Sequence, residues 1–332
     1  MARRFFADDS FWNTPLPDKP EIDPFSDTMI ALLKTERNGP FGVNLHQWTI
    51  PIYEVDAQTP RRKVHRRVHT EADLKKRKSK WIGVGHRFGH GAEFAADALG
   101  VGIPIPEAVA ADPEDDAHLA LVDWAAGVAW DMWGARRRAD GDWESNTGMK
   151  YAIAGPGASG VFRTDQFPGL QDGDSIHFHG PSRAAGVPAI VGTILHDEVV
   201  EGEIRHKLGC ATRFNAFQQF VFPACWTDGH RKVGIPEGAI IQLDPALDLD
   251  RFGLTPAAKT VCRAMQVYGA VNVDNAGGTA LYGEGLWAKP GKSWKGLLEP
   301  LDTQKIPMDH YRVLKLENIV HRGDSMRSGK GA

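Results

Sequence analysis

Short runs of alternating apolar and polar residues, each closed by Gly, Pro, Asp or Asn, recur along this chain and constrain its fold more than any other feature. Such a run buries one face and exposes the other, the pattern of a half-buried strand. Trp48 to Val55, Leu119 to Trp124, Val128 to Trp133, Phe217 to Phe222 and Ala239 to Leu243 read this way and carry β-branched and aromatic side chains. Leu119 to Asp131 reads as a hairpin turning at Ala125-Ala126-Gly127. The 36 Gly and 21 Pro supply the turns that short strands require. The expectation is an all-β or β-rich chain, a jelly-roll-like β-sandwich with a few short helices.

Three helices interrupt this pattern. Asp27 to about Glu36 is expected to be helical, capped by Ser26 or Asp27 and stopped by Asn38-Gly39-Pro40. A shorter helix is expected from Asp197 to Glu203. The clearest runs from Thr255 to Tyr268, where Thr255 caps, Pro256 sits at the first helical position and Gly269 ends the segment. Its buried stripe is Ala258, Val261, Met265 and Tyr268 or Cys262. With no internal repeat or low-complexity segment, residues 1–332 read as one domain, with 57–82 as a basic insertion or loop and 318–332 as a flexible tail.

A formal charge of −3 gives no global attraction to nucleic acid or anionic membrane. The Arg61 to Lys80 region is strongly basic, so it either binds a phosphate- or uronate-bearing polymer or is a solvated loop balanced by Glu107, Asp112, Glu114, Asp115 and Asp116. Only Trp81 interrupts the basic residues, which argues against a stacking platform for single-stranded nucleic acid. No run approaches the length of a membrane span, and Asp8 and Asp9 arrive before any signal-like apolar stretch. Cys210, Cys225 and Cys262 lack CxxC spacing and read as buried thiols.

Candidate chemistry is carried by carboxylates and histidines. His177 and His179 lie at i and i+2 in Asp174-Ser175-Ile176-His177-Phe178-His179, a spacing that can present two imidazoles to one metal. No third ligand follows, since Arg183 and Ala184 stand where a cupin would place a Glu, so no metal or other cofactor is expected. His196 to His206 packs Asp197, Glu198, Glu201, Glu203, Arg205 and two histidines into a turn and helix. Crowded carboxylates push one another's pKa apart, which can turn a pair into one acid and one base, and His206 could relay a proton. The plainer reading is helix capping by Asp197 and Glu198 with exposed Glu201 and Glu203. Asp123, Asp131, Asp228 and Asp274 could face a cleft, although Asp228-Gly229 and Asn275-Ala276-Gly277 are also ordinary turn sequences. Trp124, Trp130, Trp133, Trp143 and Trp226 lie near these acids in sequence, and flat rings stack on the apolar faces of sugars. Gly155 to Gly160 lacks the Lys and Ser/Thr of a phosphate loop, and there is no GxSxG elbow and no HExxH, so nucleotide-dependent, serine-esterase and zincin chemistries are disfavoured.

Several ordered stretches together resemble a family of mostly secreted proteins of soil actinobacteria. They are Phe11-Trp12-Asn13-Thr14-Pro15-Leu16, His118 to Asp123, Ala185-Gly186-Val187-Pro188, His196 to His206, Pro223-Ala224, Ile235-Pro236-Glu237-Gly238-Ala239 with Gln242-Leu243-Asp244-Pro245, and Ala264 to Ala270 with Val273-Asp274-Asn275. The resemblance implies a β-sandwich that acts on or binds envelope or plant polysaccharide, with Asp123, Asp197, Glu198, His206, Asp228 and Asp274 at its characteristic polar positions. His177 and His179 depart from the family pattern. Relatives of this kind are exported, so the missing signal points to a removed leader or to a phage tail component released by lysis.

The function expected from these readings is glycosidic bond cleavage by acid–base catalysis, with a carboxylate pair drawn from Asp123, Asp197, Glu198, Asp228 and Asp274 and with His206 orienting or relaying. Trp124, Trp133, Arg205 and Trp226 would contact the polysaccharide. The setting would be extracellular or virion-associated, with oligomer or virion assembly open. The alternatives are a non-catalytic glycan-binding protein, such as a phage minor tail protein, and a polysaccharide lyase using His206 and Arg205.

Overall fold

In the computed structural model, residues 3–77, 84–85, 89–158 and 183–321 are described. Strand exceeds helix, 28% against 18%, so the chain is β-rich. The largest sheet has six strands in the order Gly42–Asn44, Ala280–Tyr282, Leu208–Thr212, Ala270–Asn275, Ile240–Leu243 and Tyr311–Val313. A five-stranded sheet runs Thr147–Ala152, Val128–Trp133, Leu119–Asp123, Ile50–Glu54 and Glu284–Gly285. Both sheets mix parallel and antiparallel pairs: Leu208–Thr212 runs parallel to Ala270–Asn275, and Ile50–Glu54 runs parallel to Leu119–Asp123. Gly283 separates the strand of one sheet from the strand of the other.

Period-two alternation places the core. Ile50, Ile52, Ala120, Val122 and Ala129 of the five-stranded sheet and Ala211, Val271, Val273 and Tyr282 of the six-stranded sheet enter one buried cluster, completed by Ala185, Val187 and Ala189 to Val191. The opposite face of the larger sheet contributes Leu208, Cys210, Ile241, Leu243, Ala270 and Val313 to a second cluster with the helix Pro256–Val267. The opposite face of the smaller sheet packs Leu119, Leu121, Trp130 and Met132 against Phe94 of the helix Ala92–Leu99.

The helix Pro256–Val267 forms for the reasons its sequence supplies. The Thr255 hydroxyl accepts a hydrogen bond from the Ala258 N–H at 3.1 Å, Pro256 opens the first turn, and Gly269 follows with φ +77°. Ala258, Val261, Cys262 and Met265 are fully buried, while Tyr268 is only half-buried. The first helix spans Ser26–Lys34, but neither Ser26 nor Asp27 caps it. Ser26 is buried and its hydroxyl accepts from the Val313 N–H at 2.9 Å, while Asp23 accepts from the Phe25 N–H at 2.8 Å. A tertiary contact has taken the residue that local capping would have used. The third expected helix forms over His196–Glu201 and ends at Gly202, φ +81°.

The hairpin forms with Leu119 opposite Met132 and Asp123 opposite Val128. Two arginines of the basic region are tied to acids. Arg62 and Arg137 pair with Glu107, and buried Arg67 pairs with Asp73 and, at 3.7 Å, with Glu144. Short strands at Arg61–Arg62 and Val64–Arg66 and the helix Glu71–Arg77 give this stretch local structure. Among the described residues, Cys210, Cys225 and Cys262 are free, buried thiols, and no helix is long and apolar enough to cross a membrane.

Candidate functional site

The ends of three strands bring acids together. Asn215–Phe220 runs parallel to Ile235–Glu237, with Asn215 opposite Ile235, and both abut the end of Ala270–Asn275. Along Ala270–Asn275 the register with its neighbour skips from Asn272 to Asp274, an irregularity that gives Val273 no opposite residue. A bulge of this kind re-aims the side chain that follows it. Asn215 links the group: its amide donates to Glu237 Oε1 at 2.7 Å and to the Asp274 carbonyl at 2.8 Å, and its side-chain oxygen accepts from Asn272 at 3.0 Å.

Glu237 is fully buried, and burial, then the charges of Asp228 and Asp274, raise its pKa well above the carboxylate range. Asp228 opposes its ionisation, while the Thr227 hydroxyl favours it. Asp274 is raised to about 7 by burial and by the like charges of Asp228 and Asp116, against the opposing pull of Arg183 and the Asn275 N–H. That N–H donates to Asp274 Oδ1 at 2.9 Å.

Arg183, whose side chain is fully buried, lies 3.9 Å from Asp274 Oδ2, donates to the Ala189 carbonyl at 3.1 Å and rests 3.5 Å above the Tyr282 ring. Tyr282 is held protonated, its pKa raised by burial and by the Asp274 carboxylate. Close by, burial and then Arg183 drive His118 down to about 3, so it is neutral. Asp131 accepts from the Ala189 N–H at 2.5 Å.

A groove of about 710 Å³ reaches this cluster through Tyr282, Asn275 and Asp116. Asp274 is not part of the groove wall, and it keeps 18% of its side chain exposed. Asp116 accepts from Trp133 Nε1 at 3.0 Å. Other parts of the wall are Asn38, Asn44 and Trp48. The arrangement can do proton chemistry near neutral pH: a carboxyl that titrates near 7, backed by a buried carboxyl of raised pKa and a fixed cation.

The other sequence-derived candidates fall elsewhere. Asp123 closes the hairpin, accepting from the Ala126 N–H at 2.8 Å. Asp197 pairs with Lys292 at 2.7 Å and lines a second cleft of about 450 Å³ with Trp124. Trp124 is engaged by Phe5, stacked at 5.3 Å, and by Arg3 at 5.2 Å. Glu198 accepts from the Leu195 N–H at 3.2 Å and pairs with His206 Nε2 at 3.1 Å, while His206 Nδ1 contacts the Lys207 carbonyl at 2.8 Å. The Arg205 side chain points toward Glu203 at 3.9 Å, and its carbonyl accepts from Arg4. Trp226 is buried beside Thr227 and Asp228. The structure thus joins Asp228 and Asp274, with Trp133 reaching the cluster through Asp116, and it places Asp123, Asp197, Glu198 and His206 outside it.

Glu237 and Arg183 are the members that sequence reading passes over. Pro236-Glu237-Gly238 looks like a turn, and only the fold reveals that Glu237 is sealed inside. Arg183 registers in sequence only as the residue standing where a metal ligand would be. His177 and His179 lie outside the described residues, among which no group of three His, Cys, Asp or Glu side chains is arranged to hold a metal. Comparison with family models, curated proteins and solved structures finds no match to this chain.

Proposed function

We propose that the protein is a carbohydrate-active enzyme that cleaves glycosidic bonds in a cell-envelope or plant polysaccharide, with Asp274 as the acid–base group next to Asn275 of the 710 Å³ groove wall. The observation that carries this reading is a carboxyl titrating near 7, partly exposed, beside a groove large enough for several sugar rings. A group whose pKa matches the working pH is half protonated, which suits protonation of a leaving oxygen or activation of water. Glu237 is sealed from the groove, and its raised pKa disfavours it as the base. Asp228 and Asp116 are the candidate partners of Asp274, since the charge of each raises its pKa. The two large sheets, joined by one buried cluster, serve as a sandwich-like scaffold, and the setting proposed is extracellular or virion-associated.

A panel of plant and bacterial wall polysaccharides, assayed for new reducing ends, tests the reading. Release of reducing ends from at least one polymer is expected. Binding without release would favour a glycan-binding protein, and unsaturated products would favour a lyase.

A further inference from the structure

We infer that the groove takes an uncharged oligosaccharide and that Trp48 is its stacking platform, an inference that rests on the glycan-processing reading of the same site.

Trp48 is a bulky residue in the left-handed region, φ +49°, and its side chain is 44% exposed at the groove wall. L residues with large side chains rarely adopt this backbone, and such strain concentrates at ligand sites. Folding alone does not call for an exposed indole there: the ring contributes to none of the three buried clusters, and the Trp48 backbone holds Asn44 only through a long contact of 3.5 Å from the Asn44 amide to its carbonyl. A glycine would adopt the same turn without strain. What only tryptophan supplies is a broad flat face, the shape that packs on the C–H face of a pyranose ring.

Charge defines the class of sugar. Among the described residues lining the groove there is no Lys, Arg or His, and the one charged side chain is Asp116. A uronate or a phosphorylated sugar would enter facing a carboxylate with no cation to receive it. Arg183, the cation beside Asp274, has no exposed side-chain surface, so it offers no charge to a ligand in the groove. The wall offers amides at Asn38, Asn44 and Asn275, which donate and accept as sugar hydroxyls require.

The test is calorimetric binding to the full chain carrying Asp274→Asn, so that ligand is not consumed, with hexasaccharides of glucose, mannose, xylose, galactose and N-acetylglucosamine, and of galacturonic acid. At least one neutral hexamer is expected to bind, with galacturonate hexamer at least tenfold weaker. Adding Trp48→Gly should weaken binding about tenfold or more without lowering the melting temperature, while Trp48→Phe should stay within a few-fold of Trp48. Tighter binding of galacturonate, undiminished binding by Trp48→Gly, or no binding of any hexamer would overturn the inference. Cleavage is read separately on the parent chain, so a groove that binds neutral sugar but never cuts it would sink the catalytic reading and leave this one standing.

Discussion

Arg183 Nη1 lies 3.9 Å from Asp274 Oδ2, yet the Asp274 carboxyl is still raised to about 7. Burial and the charges of Asp228 and Asp116 outweigh the arginine, which moderates the acid without fully ionising it. Replacing Arg183 by Met should therefore move the Asp274 titration above 7, and Arg183→Lys, which keeps the charge, should hold it closer to the parent. The shift is read from the pH dependence of kcat/KM. An unchanged or lower value in the Met variant would show that Arg183 does not set this acid.

Asp274 also makes stability depend on pH. Its folded pKa of about 7 exceeds its ordinary value of 3.8, so the folded chain binds this proton more tightly than the unfolded chain between those values. Stability from this group is full below 3.8 and is lost as pH rises through 7. Asp274→Asn removes the dependence. The variant should gain on the parent by a few kcal/mol (roughly 1.4 per pH unit) as pH goes from about 4 to about 8. Denaturant melts of both chains at the two pH values measure it, and a constant difference would contradict the raised pKa.

The Glu198 and His206 pair is expected to support the fold rather than the chemistry. Burial alone would lower the His206 pKa, but Glu198 and the Lys207 carbonyl outweigh it and the net shift is upward from 6.5. That contribution is present below 6.5 and fades as pH rises through the folded value. Breaking a nearly buried pair costs about 3–5 kcal/mol, so His206→Ala should lose more stability at acid than at alkaline pH. A folded His206→Ala chain with no turnover would instead place the chemistry at this pair.

Met265 is fully buried in the cluster beneath the six-stranded sheet. Met265→Ala should destabilise the chain by about 2–5 kcal/mol through the cavity it leaves. A loss below about 1 kcal/mol would mean that the helix Pro256–Val267 does not pack as described.

The elements legible in sequence were those whose signal is local. The helix Pro256–Val267 carries its own cap, proline and glycine, and the Leu119–Asp123 and Val128–Trp133 hairpin carries its alternation and its turn, so both read directly. Helix capping at Ser26 did not follow, because Val313, far along the chain, claims that hydroxyl. The parallel pairing of Leu208–Thr212 with Ala270–Asn275 was equally hidden, since a long crossover leaves no short-range pattern. Asp228 and Asp274 could be named as candidates from their types and turn contexts, but their partnership with Glu237 depends on which side chains the fold seals from water. Asp197 and Glu198 looked equally rich in chemistry, and the fold gives them a surface ion pair and a helix-end hydrogen bond.

The central claim is that Asp274 cleaves a glycan by titrating near neutral pH. The most direct measurement compares reducing-end release by the parent and by Asp274→Asn on the same polysaccharide across pH. The parent profile is expected to bend near 7 in kcat/KM, and the Asn variant to be slower by about 10²–10⁴-fold with that bend gone. An Asn variant that cleaves at the parental rate, with the bend intact, would contradict it.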